Sequence, residues 1–231
     1  MEFNRADFLR SLAAAGAGLP TAALAAAPAR VPSAGPTSSP EMLLGRLMAG
    51  NKRFLENDMP SANRFEEKRE LLLESQAPFA AILGCADSRV IPNLVFVQSI
   101  GDLFVVRVAG NYPDDLVTAS LEYAIEHLGT RLIMVLGHQN CGAVKAVYDA
   151  IATKKPLPPH LSTIEELLTP GVTGVVARHG SINDAIEANA SAAVKRLRTT
   201  SPYLSTAVKS GHLLVVGGVY QLRTGEVALI D

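Results

Sequence analysis

Phe79-Ala80-Ala81-Ile82-Leu83-Gly84-Cys85-Ala86-Asp87-Ser88-Arg89 and Arg131-Leu132-Ile133-Met134-Val135-Leu136-Gly137-His138-Gln139-Asn140-Cys141-Gly142 decide the fold. In each, a short apolar run (79–83 and 131–136) breaks off into polar, reactive residues, the pattern of a strand buried on both faces. Runs of the same kind recur at 103–108 and 212–219, with helical spacing at 116–127, 143–152 and 182–197. Strand alternating with helix predicts an α/β fold, a mostly parallel four-stranded sheet flanked by helices. A last run, 225–230, follows so closely behind 212–219 that it predicts an antiparallel edge strand. Upstream, Leu43, Leu44, Leu47, Met48 and Phe54 recur by threes and fours, which predicts a helix from 41, and a second helical stretch covers 64–75.

The composition fits one folded domain. The chain has 231 residues, 48% hydrophobic and 19% charged, long enough to bury a continuous core without disulfide staples. Two cysteines are too few for a disulfide scaffold. A net charge of −1 offers no basic footprint for nucleic acid. Small-molecule chemistry is the better expectation.

The first 29 residues read differently. A polar start, Asn4-Arg5-Ala6-Asp7-Phe8-Leu9-Arg10, is followed by an uncharged Ala-rich stretch that closes in Ala27-Pro28-Ala29, an A-x-A cleavage pattern. Residues 1–29 are therefore expected to be an export signal, twin-arginine-like but with Ala6 where the second Arg belongs. Residues 30–40, rich in Pro and Ser, read as a linker to a single domain at 41–231. The expected location is periplasmic or secreted, with a cytoplasmic tail-bearing enzyme as the alternative. No other segment has the roughly 18 to 20 uninterrupted apolar residues of a bilayer span.

Both cysteines stand just past the carboxyl end of an expected strand, where an open parallel sheet binds ligands. Two thiolates and an imidazole, from Cys85, Cys141 and His138, match the Cys2His set of catalytic zinc sites, which leaves a fourth position open. His138 and Cys141 are three apart on a strand-to-helix turn, so both can face one ion. Cys141 also opens a helix, whose positive dipole end favours thiolate. Two inert buried cysteines, or a disulfide in an exported chain, are the other readings. A redox pair fits less well, because the usual motif sets its cysteines within C-x-x-C. His127, His160, His179 and His212 read as helix-end or surface residues.

Taken together, Cys85-x-Asp87-Ser88-Arg89 and His138-x-x-Cys141-Gly142 resemble the β-class carbonic anhydrases. The likeness continues through Gly101-Asp102-Leu103-Phe104-Val105-Val106-Arg107 and Ser120-Leu121-Glu122-Tyr123-Ala124 and spans nearly all of 41–231. Val108 departs from it, since many relatives carry Asn after that Arg. The resemblance implies a zinc lyase, one Zn2+ per chain held by Cys85, His138 and Cys141, that hydrates carbon dioxide reversibly to bicarbonate and a proton through attack of zinc-bound hydroxide. It implies a catalytic dyad of Asp87 and Arg89, with Asp87 on the zinc in a closed site and on Arg89 in an open one. It implies substrate contacts from Gln76, Phe104 and Tyr123, and assembly as a homodimer or homotetramer that exchanges N-terminal helices. Two thiolates donate more charge than imidazoles would, so activity is expected to rise toward alkaline pH. The competing readings are a relative acting on carbon disulfide and a zinc protein without turnover.

Overall fold

Ile82, Met134 and Leu136 face one side of a central sheet while Ala81, Leu83, Ile133 and Val135 face the other, as the alternation of side chains along a strand requires. The computed structural model describes residues 38–59 and 65–230. Its sheet contains β1 (Ala80–Gly84), β2 (Leu103–Arg107), β3 (Leu132–His138), β4 (Leu214–Tyr220) and β5 (Val227–Ile230), in the order β2-β1-β3-β4-β5. The first four are parallel and β5 runs antiparallel to β4. Every residue of β1 and β3 is buried, which is why both read as unbroken apolar runs.

The helices are α1 (Pro40–Leu55), α2 (Phe65–Leu71), α3 (Pro92–Val95), α4 (Asp115–Glu126), α5 (Gly142–Thr153), α6 (Leu161–Ala177), α7 (Ile182–Thr199) and α8 (Pro202–Lys209). Leu43 and Leu47 of α1 and Val95 of α3 cover one face of the sheet with Phe96. Leu121 of α4, Ala193 and Leu197 of α7 and Leu204 of α8 cover the other. A third cluster joins Val144 and Val147 of α5, Leu168, Val172 and Val175 of α6 and Ile186 of α7 to Cys85 and Cys141. The two cysteines thus sit at the sheet's carboxyl end, backed by an apolar helical layer.

Local signals explain the helix starts. Ser39 Oγ accepts the Met42 N–H ahead of Pro40, and Asp114 and Ser201 cap α4 and α8 in the same way. At α7 the box is reciprocal: Ser181 Oγ takes the Asp184 N–H while the Asp184 carboxylate takes the Ser181 N–H. Buried Asn51 ties α1 to the rest. Its Nδ2 donates to the carbonyls of Val95 and Gly225, and its Oδ1 accepts the Val227 N–H. One position earlier, a Cβ on Gly50 would stand 1.8 Å from the Phe96 carbonyl oxygen, so the close approach of α1 to the segment after α3 requires glycine.

The strands expected from sequence are present with shifted ends. β3 runs two residues further than 131–136 and includes His138, while β4 begins at Leu214 rather than 212. α3, α6 and α8 are helices that the spacing of apolar residues in the sequence does not predict. The export segment 1–29 and linker residues 30–37 lie outside the described residues. Among the described residues no helix is long and apolar enough to cross a membrane.

Candidate metal centre

β1 ends at Gly84, so Cys85 is the first residue of the loop beyond it; β3 ends on His138 itself, and Cys141 caps α5. Parallel pairing of β1 with β3, Gly84 opposite Leu136, brings these three positions to one end of the sheet. Between His138 and Cys141 the chain turns sharply. The Gln139 N–H donates to the Tyr220 carbonyl and Asn140 takes a left-handed conformation, φ 55°, which Asn tolerates better than most residues. That turn folds Cys141 back beside His138.

The three side chains converge. The sulfurs of Cys85 and Cys141 are 3.9 Å apart across 56 positions of sequence, and the potential ligand atoms of Cys85, His138 and Cys141 all lie within 4.8 Å of one another, every residue buried. Two thiolates on a tetrahedral zinc at ~2.3 Å would stand about 3.8 Å apart. Both cysteines are free, so the disulfide reading is not realised. His138 is fully buried, and its Nδ1 lies 3.0 Å from the Gln139 carbonyl oxygen. With Nδ1–H donating there, the lone pair is on Nε2, which is buried with no hydrogen-bond partner. A buried, unpartnered imidazole nitrogen beside two sulfurs fits a metal ion.

The electrostatics agree with that donor set. Contact with Cys141 brings the Cys85 thiol far below its ordinary range against the opposing effect of burial, helped by His138 and by the Gly110 N–H, which lies 3.5 Å from the sulfur. Cys141 is pushed up, chiefly by Cys85 and by burial, although the amides of Val144 and Ala143 at the start of α5 pull the other way. The pair therefore accepts one negative charge readily and resists a second unless a cation joins it. Burial, the largest single influence, works against a charged His138, but the Cys85 sulfur, the Gln139 carbonyl and the Asp87 carboxylate together leave the ring's pKa raised.

Asp87 stands at the edge of this cluster, with Oδ2 3.9 Å from His138 Nε2. Its carboxylate is engaged by Arg89, Nε to Oδ1 at 2.9 Å and Nη2 to Oδ2 at 2.8 Å. That fork, more than any other influence, holds the Asp87 pKa far below the usual carboxylate range, and the Arg89 pKa rises in return. Arg107, which the sequence reading did not single out, donates to the carbonyls of Cys85 and Asp87. An Arg closing an otherwise apolar strand was the available signal.

The remaining candidates lie elsewhere in the chain. Gln76 is exposed in the segment between α2 and β1. Phe104 packs against the cluster of Ala81, Leu83 and Leu121, separate from the cluster that holds the cysteines, with its ring 6.4 Å from that of Tyr123. Tyr123 is half exposed, and its ring lies tilted against that of His127 with centroids 5.0 Å apart. His127, His160, His179 and His212 are all exposed.

A mostly parallel sheet with a Cys-His-Cys cluster at its carboxyl end defines an α/β protein with a cluster able to hold a metal ion. Comparison with known proteins narrows this further. The carbonic anhydrase family model matches residues 80–227. The chain is 35% identical to a carbonic anhydrase of Mycolicibacterium smegmatis, over 84% of this chain and 95% of that one. It is 35% identical to carbonic anhydrase 2 of Mycobacterium tuberculosis, over 85% and 95%. Among solved structures it resembles the β-carbonic anhydrase CcaA, with 29% identity, a TM-score of 0.65, and 81% and 95% of the two chains covered. It also resembles a Coccomyxa β-carbonic anhydrase in complex with acetazolamide, with 31% identity, a TM-score of 0.63, and 81% and 86% covered. The chain belongs to the carbonic anhydrase family, as a bacterial β-class enzyme.

Proposed function

We propose that this carbonic anhydrase works with one zinc ion per chain, held by Cys85, His138 and Cys141, and that Asp87 and Arg89 form its catalytic dyad. The observation that carries the reading is the buried, unpartnered Nε2 of His138 beside two sulfurs 3.9 Å apart. Zinc bound there supplies a Lewis acid that makes water a nucleophile toward carbon dioxide near neutral pH. The two cysteines carry the negative charge that the cation neutralises, and His138, oriented by the Gln139 carbonyl, completes the donor set without adding charge.

Asp87 is the hydrogen-bond acceptor at the edge of the cluster. With its carboxyl kept ionised by Arg89, it accepts a hydrogen bond from the attacking water and orients it toward carbon dioxide. Arg89 keeps the carboxylate turned to itself through two parallel bonds, so Asp87 would not join Cys85, His138 and Cys141 as the residues holding the metal. Gln76, Phe104 and Tyr123 lie away from the cysteines within one chain, so they belong to this reading as substrate contacts only with a second copy of the chain bringing them to the site, where an apolar, linear substrate needs an apolar wall and one donor for its developing oxygen charge.

Self-association as a homodimer or homotetramer belongs to the proposal too; one structural relative is described as tetrameric. So does export by residues 1–29 to the periplasm or beyond. The test is stopped-flow hydration of carbon dioxide by the zinc-loaded chain from neutral to alkaline pH, with Asp87→Ala alongside. Rapid hydration that climbs with pH and drops in the variant is expected. Zinc bound one per chain without hydration at any pH would move the reading to another substrate or to a non-catalytic zinc protein.

A further inference from the structure

Arg107 closes β2 and is the only charged residue in a strand otherwise made of Leu103, Phe104, Val105 and Val106. Its register partner on β1 is Gly84, immediately before Cys85. The sheet does not need the Arg107 side chain here, since the Val108 N–H already pairs with the Gly84 carbonyl. Instead the half-buried guanidinium reaches past the end of β1, donating from Nε to the Cys85 carbonyl at 2.8 Å and from Nη2 to the Asp87 carbonyl at 2.5 Å. The Asp87 carbonyl has a further donor in the Val90 N–H at 3.1 Å. Two guanidinium groups therefore bracket Asp87, Arg89 on its carboxylate and Arg107 on its backbone.

We propose that Arg107 is a positioning residue of the metal centre: by holding the carbonyls of Cys85 and Asp87 in one planar fork, it fixes the spacing between a ligand sulfur and the dyad carboxylate. This rests on the reading of the cluster as a zinc site. Nε and Nη2 project from one rigid edge, so the two carbonyls two residues apart are set relative to each other as well as to β2. The loop has no strand pairing beyond Gly84 to do this. A lysine at 107 would keep the charge and lose the fork.

The test compares zinc-loaded wild type, Arg107→Lys and Arg107→Gln in the full chain, with Asn51→Ala as a variant destabilised away from the site. Zinc affinity by chelator competition, the kcat and KM of hydration, and the melting temperature are measured for each. Arg107→Lys is expected to weaken zinc binding and lower kcat roughly 10- to 100-fold, the usual scale for groups that orient metal ligands, with KM changed less than twofold. Asn51→Ala is expected to melt earlier and hold zinc like wild type. Should Arg107→Lys keep zinc affinity and kcat within twofold of wild type, or lose no more of them than an equally destabilised Asn51→Ala, the proposal is overturned. A wild-type chain that binds no zinc would remove the zinc-site reading and this proposal with it. Zinc binding without hydration would remove the catalytic reading alone, and the affinity comparison would still decide the role of Arg107.

Discussion

Arg89 holds Asp87 through three hydrogen bonds: Nε to Oδ1 at 2.9 Å, Nη2 to Oδ2 at 2.8 Å and the backbone N–H to Oδ1 at 3.0 Å. The side-chain fork is planar and bidentate, so it sets the orientation of the carboxylate as well as its charge. Exposed ion pairs contribute little to stability, and half of the Arg89 side chain is exposed. The value of the contact is in where it keeps the Asp87 oxygens.

Arg89→Lys is accordingly expected to lower carbon dioxide hydration roughly 10- to 100-fold while leaving zinc content at one per chain and the melting temperature nearly unchanged. A single ammonium keeps the charge but cannot form the fork. Stopped-flow rates beside metal analysis check this; an activity equal to wild type would remove the dyad from the mechanism.

Zinc is expected to stabilise the fold as well as to activate it. A ligand that binds only the native state at about 100 times its Kd adds about 2.7 kcal/mol, so a chelator should lower the melting temperature of the wild-type chain. Cys141→Ser and His138→Ala should lose that dependence on chelator along with the metal. Calorimetry with and without chelator reads both effects.

Asp184 gives a pH-dependent contribution away from the cysteine cluster. Hydrogen bonds with Ser181 at the start of α7 lower its pKa below the ordinary value. A carboxylate whose pKa is lower folded than unfolded contributes stability above its unfolded pKa and loses it as pH falls through the folded one. Asp184→Asn should therefore be less stable than wild type at neutral pH, and the gap should close below about pH 4. Urea unfolding at several pH values tests the sign.

Asn51→Ala should cost on the order of 3 kcal/mol, because it leaves the Val95 and Gly225 carbonyls and the Val227 N–H without the partner that Asn51 gives them. Hydration per folded molecule should be unchanged. Denaturant titration with activity measured on the folded fraction separates the two.

The strands that carry the site were legible for a physical reason. β1 and β3 are buried on both faces, so each appears in the chain as a continuous apolar run. By contrast, α6 was not legible. Thr169-Pro170-Gly171 and Gly174 read locally as helix breakers, yet the helix runs through them because Leu168, Val172 and Val175 bury against α5 and α7. At Gly171 an added Cβ would come within 3.2 Å of Ala192, so the residue that argues locally against a helix is what allows close packing. For α8, the Ser201-Pro202 start was a usable signal.

By itself the sequence determined which residue types the candidate site offers: two thiols, one imidazole, and an Asp and an Arg two positions apart, each just beyond an apolar run, and with them the resemblance to a family. Residue type and local periodicity are properties of neighbouring positions and are written directly in the chain. Only the tertiary structure decided that Cys85 and Cys141, 56 positions apart, have their sulfurs 3.9 Å from each other, that Asp87 turns to Arg89, and that Arg107 reaches across from β2 to hold the loop. Those outcomes depend on the register between strands, and register is fixed by how the whole core packs.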